Sequence, residues 1–137
     1  MLRNKRVKGK VYHNPRAMKI HAWIKSNTYH HSSFSDIGQL VELKRKKNVK
    51  ISLAFPTLNE EETISGEITV IKSKLQTEHP LLDEIVVIDS GSIDRTRELA
   101  RQAGARVYLA DEILSEFGIV QGKGENLWKS LYVLEGD

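Results

Sequence analysis

Residues 84–96, EIVVIDSGSIDRT, constrain the fold most, because a continuous apolar run ends abruptly in an acid, small residues and a second acid. Ile85, Val86, Val87 and Ile88 are β-branched throughout and show no polar alternation, the pattern of a strand buried on both faces. Asp89, Ser90, Gly91 and Ser92 do not extend such a strand, so a buried strand stops at a polar loop. In an α/β protein that carboxyl end is where ligands bind, since the loops there are exposed and the next helix directs its amide-rich start toward them.

The flanking sequence repeats the unit. Residues 49–55 predict a first core strand that stops at Pro56, followed by the loop PTLN. Asn59 with Glu62 predicts a helix start, and Ile64, Ile68, Ile71 and Leu75 then share one helical face. His79-Pro80 breaks that helix. Beyond the strand at 85–88, Asp94 or Ser92 is expected to cap a helix with Thr96, Leu99, Ala100 and Ala103 inward, ended by Gly104. Residues 105–109 predict a third strand and 115–123 a glycine-bearing loop. Residues 125–134 predict a helix with Leu127, Trp128, Leu131 and Leu134 inward. Strands alternating with helices define the fold class as α/β, Rossmann-like, with a mainly parallel sheet and flanking helices.

Upstream, residues 1–34 are expected to form a basic arm and residues 35–137 the folded body. Residues 1–20 lack a sustained period, which predicts a loose extension. Trp23, Ile24, Tyr29 and Phe34 are expected to pin it to the body, and the adjacent His30 and His31 to point apart, against a metal role. Ser33 followed by Asp36 predicts a capping box opening a helix whose end carries Lys44, Arg45, Lys46 and Lys47, where the helix dipole favours cations.

The net charge of +3 conceals an asymmetry: residues 1–35 hold eight Lys and Arg and no acid, leaving 13 basic against 18 acidic residues elsewhere. The basic arm lacks an RNA-binding signature and interleaved aromatic pairs, so a solvated extension is favoured over nucleic-acid binding. With no cysteine, disulfides and thiolate metal sites are excluded. No apolar run has the length of a bilayer span and no secretory signal is visible, so a cytoplasmic protein without a membrane partner is expected.

Three loops follow the three strands and are expected along one sheet edge: residues 56–60, 89–94 and the stretch ending in Lys123. Asp89 there can accept hydrogen bonds from a base or ribose, and Lys123, flanked by glycines, can present a mobile charge to a diphosphate. Acids in a lone turn are more often caps; three loops on one edge shift the balance toward a nucleotide site. Neither GxxxxGK[ST] nor GxGxxG after the first strand is present, so neither an NTPase nor a dehydrogenase is indicated. Glu61 and Glu62 suit a first helical turn and count as structural, while Glu60 borders the loop and stays a candidate.

The segments PTLNEEETI, DEIVVIDSGSIDRTRELARQAGARV and GKGENLWKSLYVLEGD closely resemble the nucleotide-binding half of GT-A glycosyltransferases, and within them the glucosyl-3-phosphoglycerate synthase group. TYHHSSFSDIGQLVELKRKK is similar to the stretch preceding the first strand there, so the resemblance covers residues 28–137, with GKGxxLW its most specific part. It implies an incomplete GT-A fold, and retaining transfer of glucose from a nucleoside diphosphate glucose such as UDP-glucose to 3-phosphoglycerate, with Mg or Mn on the diphosphate. By position it implies that Pro56, Thr57, Leu58 and Glu60 hold the nucleotide base and ribose, Asp89 and Ser90 the base region, and Lys123 the diphosphate. The pattern departs in one respect: the family's Asp-x-Asp element, which binds the cation, is absent, as Asp89 is followed at the second position by Gly91 and Asp94 by Thr96. No catalytic or metal-ligating residue is therefore expected in this chain, no cation is expected to be held by it alone, and by itself it is expected to be inactive. The expected partners are a nucleoside diphosphate sugar and either a C-terminal half or a homodimer partner. A non-catalytic nucleotide-binding or interaction module completed by another chain is the competing reading, and a nucleic-acid-associated protein using the basic arm is a third.

Overall fold

In the computed structural model, residues 15–118 and 122–137 are described, with side chains from residue 19 onward. The chain divides into two units, Met1–Ser35 and Asp36–Asp137.

In the first unit α1 spans Pro15–Asn27. A proline at the first helical position lacks an N–H the helix would not have used. The extension expected to be loose is thus helical from residue 15, and residues 1–14 lie outside the described residues. Within this unit Trp23, Ile24, Tyr29 and Phe34 are all exposed, and Tyr29 and Phe34 meet edge to face at 5.8 Å. His30 and His31 do not point apart. Their rings lie 4.1 Å from each other, because His30 is the extended residue that enters the 3-10 turn His31–Phe34 rather than a member of one regular element.

The second unit opens with α2, Ile37–Lys47. Asp36 is its cap, accepting the Gln39 amide at 3.0 Å, while Ser33 lies in the preceding 3-10 turn, so a single cap replaces the expected box. The helix ends at Asn48 in the left-handed region, with its four cations in the last turn, as expected; Lys44 reaches Asp83 at 2.7 Å.

Three parallel strands follow in the order β1-β2-β3: β1 Ser52–Thr57, β2 Glu84–Asp89 and β3 Arg106–Leu109. Pro56 does not end β1 but lies within it, opposite Ile88. The Thr57 carbonyl turns toward β2, where it accepts the Ser90 amide at 2.9 Å, so the neighbouring proline directs its missing N–H to the edge that β2 does not use. Between strands come α3, Ile64–Lys72, continued by a π-helical stretch Ser73–Glu78, and α4, Thr96–Ala103; α5, Lys123–Ser130, follows β3.

β2 is the axis of the core. Ile85 and Val87 pack on one face with Ile64 and Ile68 of α3 and Ala100 of α4, while Val86 and Ile88 pack on the other with Ala110, Ile113, Val133 and Leu134. Burial on both faces is why the strand carries no polar alternation. Each of its four central residues is at most 4% exposed and contributes about 1.5–3 kcal/mol of apolar burial.

Two helical boundaries differ from expectation. α3 begins at Ile64 instead of near Asn59, because Asn59 takes φ +56° and residues 60–63 form a turn closed by the Glu60 carbonyl. α5 buries Asn126, Lys129 and Ser130, whereas Leu127, Trp128 and Leu131, expected inward, are 56%, 36% and 75% exposed. The polar residues win that face because strand-end carbonyls await donors there: Lys129 Nζ donates to the Ala110 carbonyl at 2.8 Å and pairs with Glu125 at 2.8 Å.

Candidate functional site

The carboxyl ends of β1 and β2 open into a cavity of about 500 Å3, within the range of small-molecule sites. It is lined by Pro56, Thr57, Leu58 and Glu60 after β1, Ser90 and Gly91 after β2, and Gly122, Lys123 and Asn126 at the start of α5. Six of the seven residues singled out from the sequence thus converge on one concavity.

The seventh, Asp89, stands behind it. Its side chain is fully buried and shaped by the loop: Oδ1 accepts the amides of Gly91 at 3.1 Å and Ser92 at 2.8 Å, and Oδ2 accepts the hydroxyls of Thr57 at 3.1 Å and Ser92 at 2.5 Å. The Arg97 guanidinium lies 3.6 Å away and compensates the charge. A carboxylate that accepts from four donors around it orders the loop that exposes Ser90 and Gly91.

A second lattice of bonds ties the β1 loop to the β2 loop. Ser92 Oγ accepts the Asn59 amide at 2.8 Å, Thr96 Oγ1 accepts the Glu60 amide at 2.7 Å, and Asn59 Oδ1 accepts the Ile93 amide at 3.0 Å. Asp94 takes the Thr96 amide at 2.9 Å and the Glu61 amide at 3.2 Å; it stands one residue before the cap position, which Arg95 occupies in place of the expected Asp94 or Ser92. Partial burial works to raise the Asp94 pKa, and the Thr96 hydroxyl and the surrounding amides outweigh it, leaving the carboxyl below its ordinary value. Glu61 accepts the Arg95 amide at 3.0 Å, a structural role in keeping with its expected one. Two loops far apart in sequence are held as one rim.

Sequence reasoning missed Asn126. It is 2% exposed and reaches from α5 to the end of β2, donating to the Ile88 carbonyl at 2.9 Å and accepting the Ser90 hydroxyl at 3.0 Å. The available signal was a polar residue three positions after Lys123, on the same helical face as that cation.

These residues do not fit a cation site. Among the described residues no three His, Asp or Glu cluster to hold a metal, Glu60 is the one carboxylate lining the cavity, and Asp89 is turned inward on the donors above.

Residues 52–113 match the sequence profile of Glycosyl transferase family 2. Among curated glycosyltransferases, the glucosyl-3-phosphoglycerate synthase of Petrotoga mobilis is 58% identical over 114 residues, covering 83% of this chain and 35% of that enzyme. The crystal structure of mannosyl-3-phosphoglycerate synthase from Rubrobacter xylanophilus superposes with a TM-score of 0.77 at 33% identity, over 84% of this chain and 37% of that one. A Mycobacterium tuberculosis glucosyl-3-phosphoglycerate synthase in complex with Mn2+, uridine-diphosphate-glucose and phosphoglyceric acid gives 0.62 at 42% identity, over 74% and 34%. The chain therefore has the parallel sheet and flanking helices of the GT-A glycosyltransferases and spans about a third of the length of the relatives it matches. No described helix is long and apolar enough to cross a membrane.

Proposed function

We propose that this chain is the donor-binding part of a cytoplasmic, retaining glucosyltransferase that uses a nucleoside diphosphate glucose and 3-phosphoglycerate, and that its edge cavity takes the nucleoside diphosphate. The observation that carries this reading is the convergence of Pro56, Thr57, Leu58, Glu60, Ser90 and Lys123 on one cavity at the strand ends.

Each residue has a role its chemistry suits. The Glu60 carboxylate can accept from ribose hydroxyls, and Pro56 and Leu58 offer apolar area to a base. Asp89 serves the base region through the loop it orders. Lys123, exposed at the start of α5, offers donors to the diphosphate and would stabilise charge developing on it as the glycosyl bond breaks. The Mg or Mn of the intact enzyme, and the acceptor, are assigned to sequence beyond this third of the fold, and no step is derived through the cation. The chain alone is proposed to bind and not to transfer.

The competing reading is a non-catalytic nucleotide module completed by a partner chain. Titration calorimetry with uridine diphosphate and with uridine tests the binding claim. Lys123→Ala is expected to weaken uridine diphosphate about tenfold and uridine hardly at all; equal weakening of both, or no binding by the parent chain, contradicts it. Supplying the C-terminal part of a relative as a second chain then separates the two readings, since glucose transfer returns only if the chain is a donor half.

A further inference from the structure

We propose that Asn126 is a positioning residue that fixes the Ser90 hydroxyl as a hydrogen-bond acceptor toward the cavity, so that the ligand must offer a donor there: an imide N–H of the base or a ribose hydroxyl. This rests on the nucleotide reading of the cavity and adds a determinant of specificity to it.

The direction of each bond follows from what the groups can do. The Ile88 carbonyl only accepts, so the group 2.9 Å from it on Asn126 is the amide nitrogen. The Asn126 oxygen therefore faces Ser90, at 3.0 Å, and because that oxygen only accepts, the Ser90 O–H donates to it. A serine has one proton, and it is spent inward. What Ser90 presents to the cavity is the lone pairs of Oγ, and among the described residues no hydrogen bond places a donor on them. A phosphate oxygen brought there would meet acceptor on acceptor, whereas an N–H or O–H completes the site. Lys123, on the same helix as Asn126, has only donors, so the lining offers an acceptor at Ser90 and donors at Lys123. Asn126 sets this polarity from a buried position, held by the carbonyl of a core strand residue.

The test compares uridine diphosphate with N3-methyluridine diphosphate, which lacks the imide N–H, and with 2′-deoxyuridine diphosphate, which lacks a ribose hydroxyl, on the 137-residue chain. The parent should bind one analogue about tenfold more weakly than uridine diphosphate, which identifies the donor. In Asn126→Ala the Ser90 proton is free to rotate, and the ratio should fall to within about twofold. Asn126→Asp still accepts from Ser90 and should keep the ratio at reduced stability. A retained ratio in folded Asn126→Ala, a lost ratio in folded Asn126→Asp, or no discrimination by a parent that binds uridine diphosphate overturns the proposal alone. Failure of the parent to bind uridine diphosphate overturns the nucleotide reading together with it. Should Asn126→Ala not fold, Ser90→Ala carries the test: loss of the ratio supports the proposal and its retention overturns it.

Discussion

Asp89 shows how a residue can matter at a site without lining it. An acid at a strand end is open to a ligand or to its own loop, and the sequence pattern leaves both available; here the loop wins, with two amides and two hydroxyls converging on a fully buried carboxylate. Removing it strands Thr57 and Ser92, both buried, and leaves Arg97 without its counter-charge. Asp89→Ala is therefore expected to cost about 3 kcal/mol, read from denaturant midpoints, because orphaned buried donors bear their full desolvation cost. Asp89→Asn keeps the shape and should cost less. Glu60 and Lys123 were legible because both sit at a loop border with a chemistry of their own; Asn126 was not, since an asparagine inside a helical pattern gives no sign of which carbonyl it serves.

At the level of elements, β2 was readable from its uninterrupted β-branched run, and α4 from the small residues Ala100 and Ala103 with Gly104 after them. Gly104 takes φ +96°, where a side chain strains the backbone. Gly104→Ala should cost about 1–2 kcal/mol by thermal or chemical unfolding, and the Lys72 ammonium that a new Cβ would meet can swing away without adding to it. α5 was misread for a physical reason. Apolar periodicity assumes that the buried face is apolar, whereas this helix turns Asn126 and Lys129 inward to satisfy the carbonyls of Ile88 and Ala110. Asn59 misled in a similar way, since a good capping residue is also one that tolerates the left-handed region it adopts.

For the whole molecule, the amino end of the sheet is held by a set of ion pairs, as the carboxyl end is held by the bonds that converge on Asp89 and Asp94. Lys44 and the Ile51 amide bond Asp83 and hold its carboxyl below the ordinary range, and Arg106, with Lys50, does the same for Glu135. Glu84 accepts the Ser52 hydroxyl at 2.5 Å and pairs with Arg106, and Asp137 takes the Lys50 amide at 2.7 Å, so residues 135–137 are tied to the start of β1. A lowered carboxyl pKa in the folded state means that the unfolded chain takes up protons first as the pH falls. The stability these pairs contribute is present above about pH 4, the ordinary carboxylate value, and is lost as the pH drops through the lower folded values. Denaturation midpoints should thus fall between about pH 5 and pH 3, and Asp83→Asn with Glu135→Gln should flatten that slope, whereas an unchanged slope would place the acid sensitivity elsewhere.

The central claim is that the cavity between the ends of β1 and β2 and the start of α5 takes a nucleoside diphosphate, and amide chemical shifts during titration of the chain with uridine diphosphate test it most directly. Saturable shifts at Leu58, Ser90 and Lys123, with Gln76 and Asp83 at the opposite sheet edge unmoved, are the predicted result. No shift at those three residues at saturating ligand, or shifts centred on the amino edge, would contradict it.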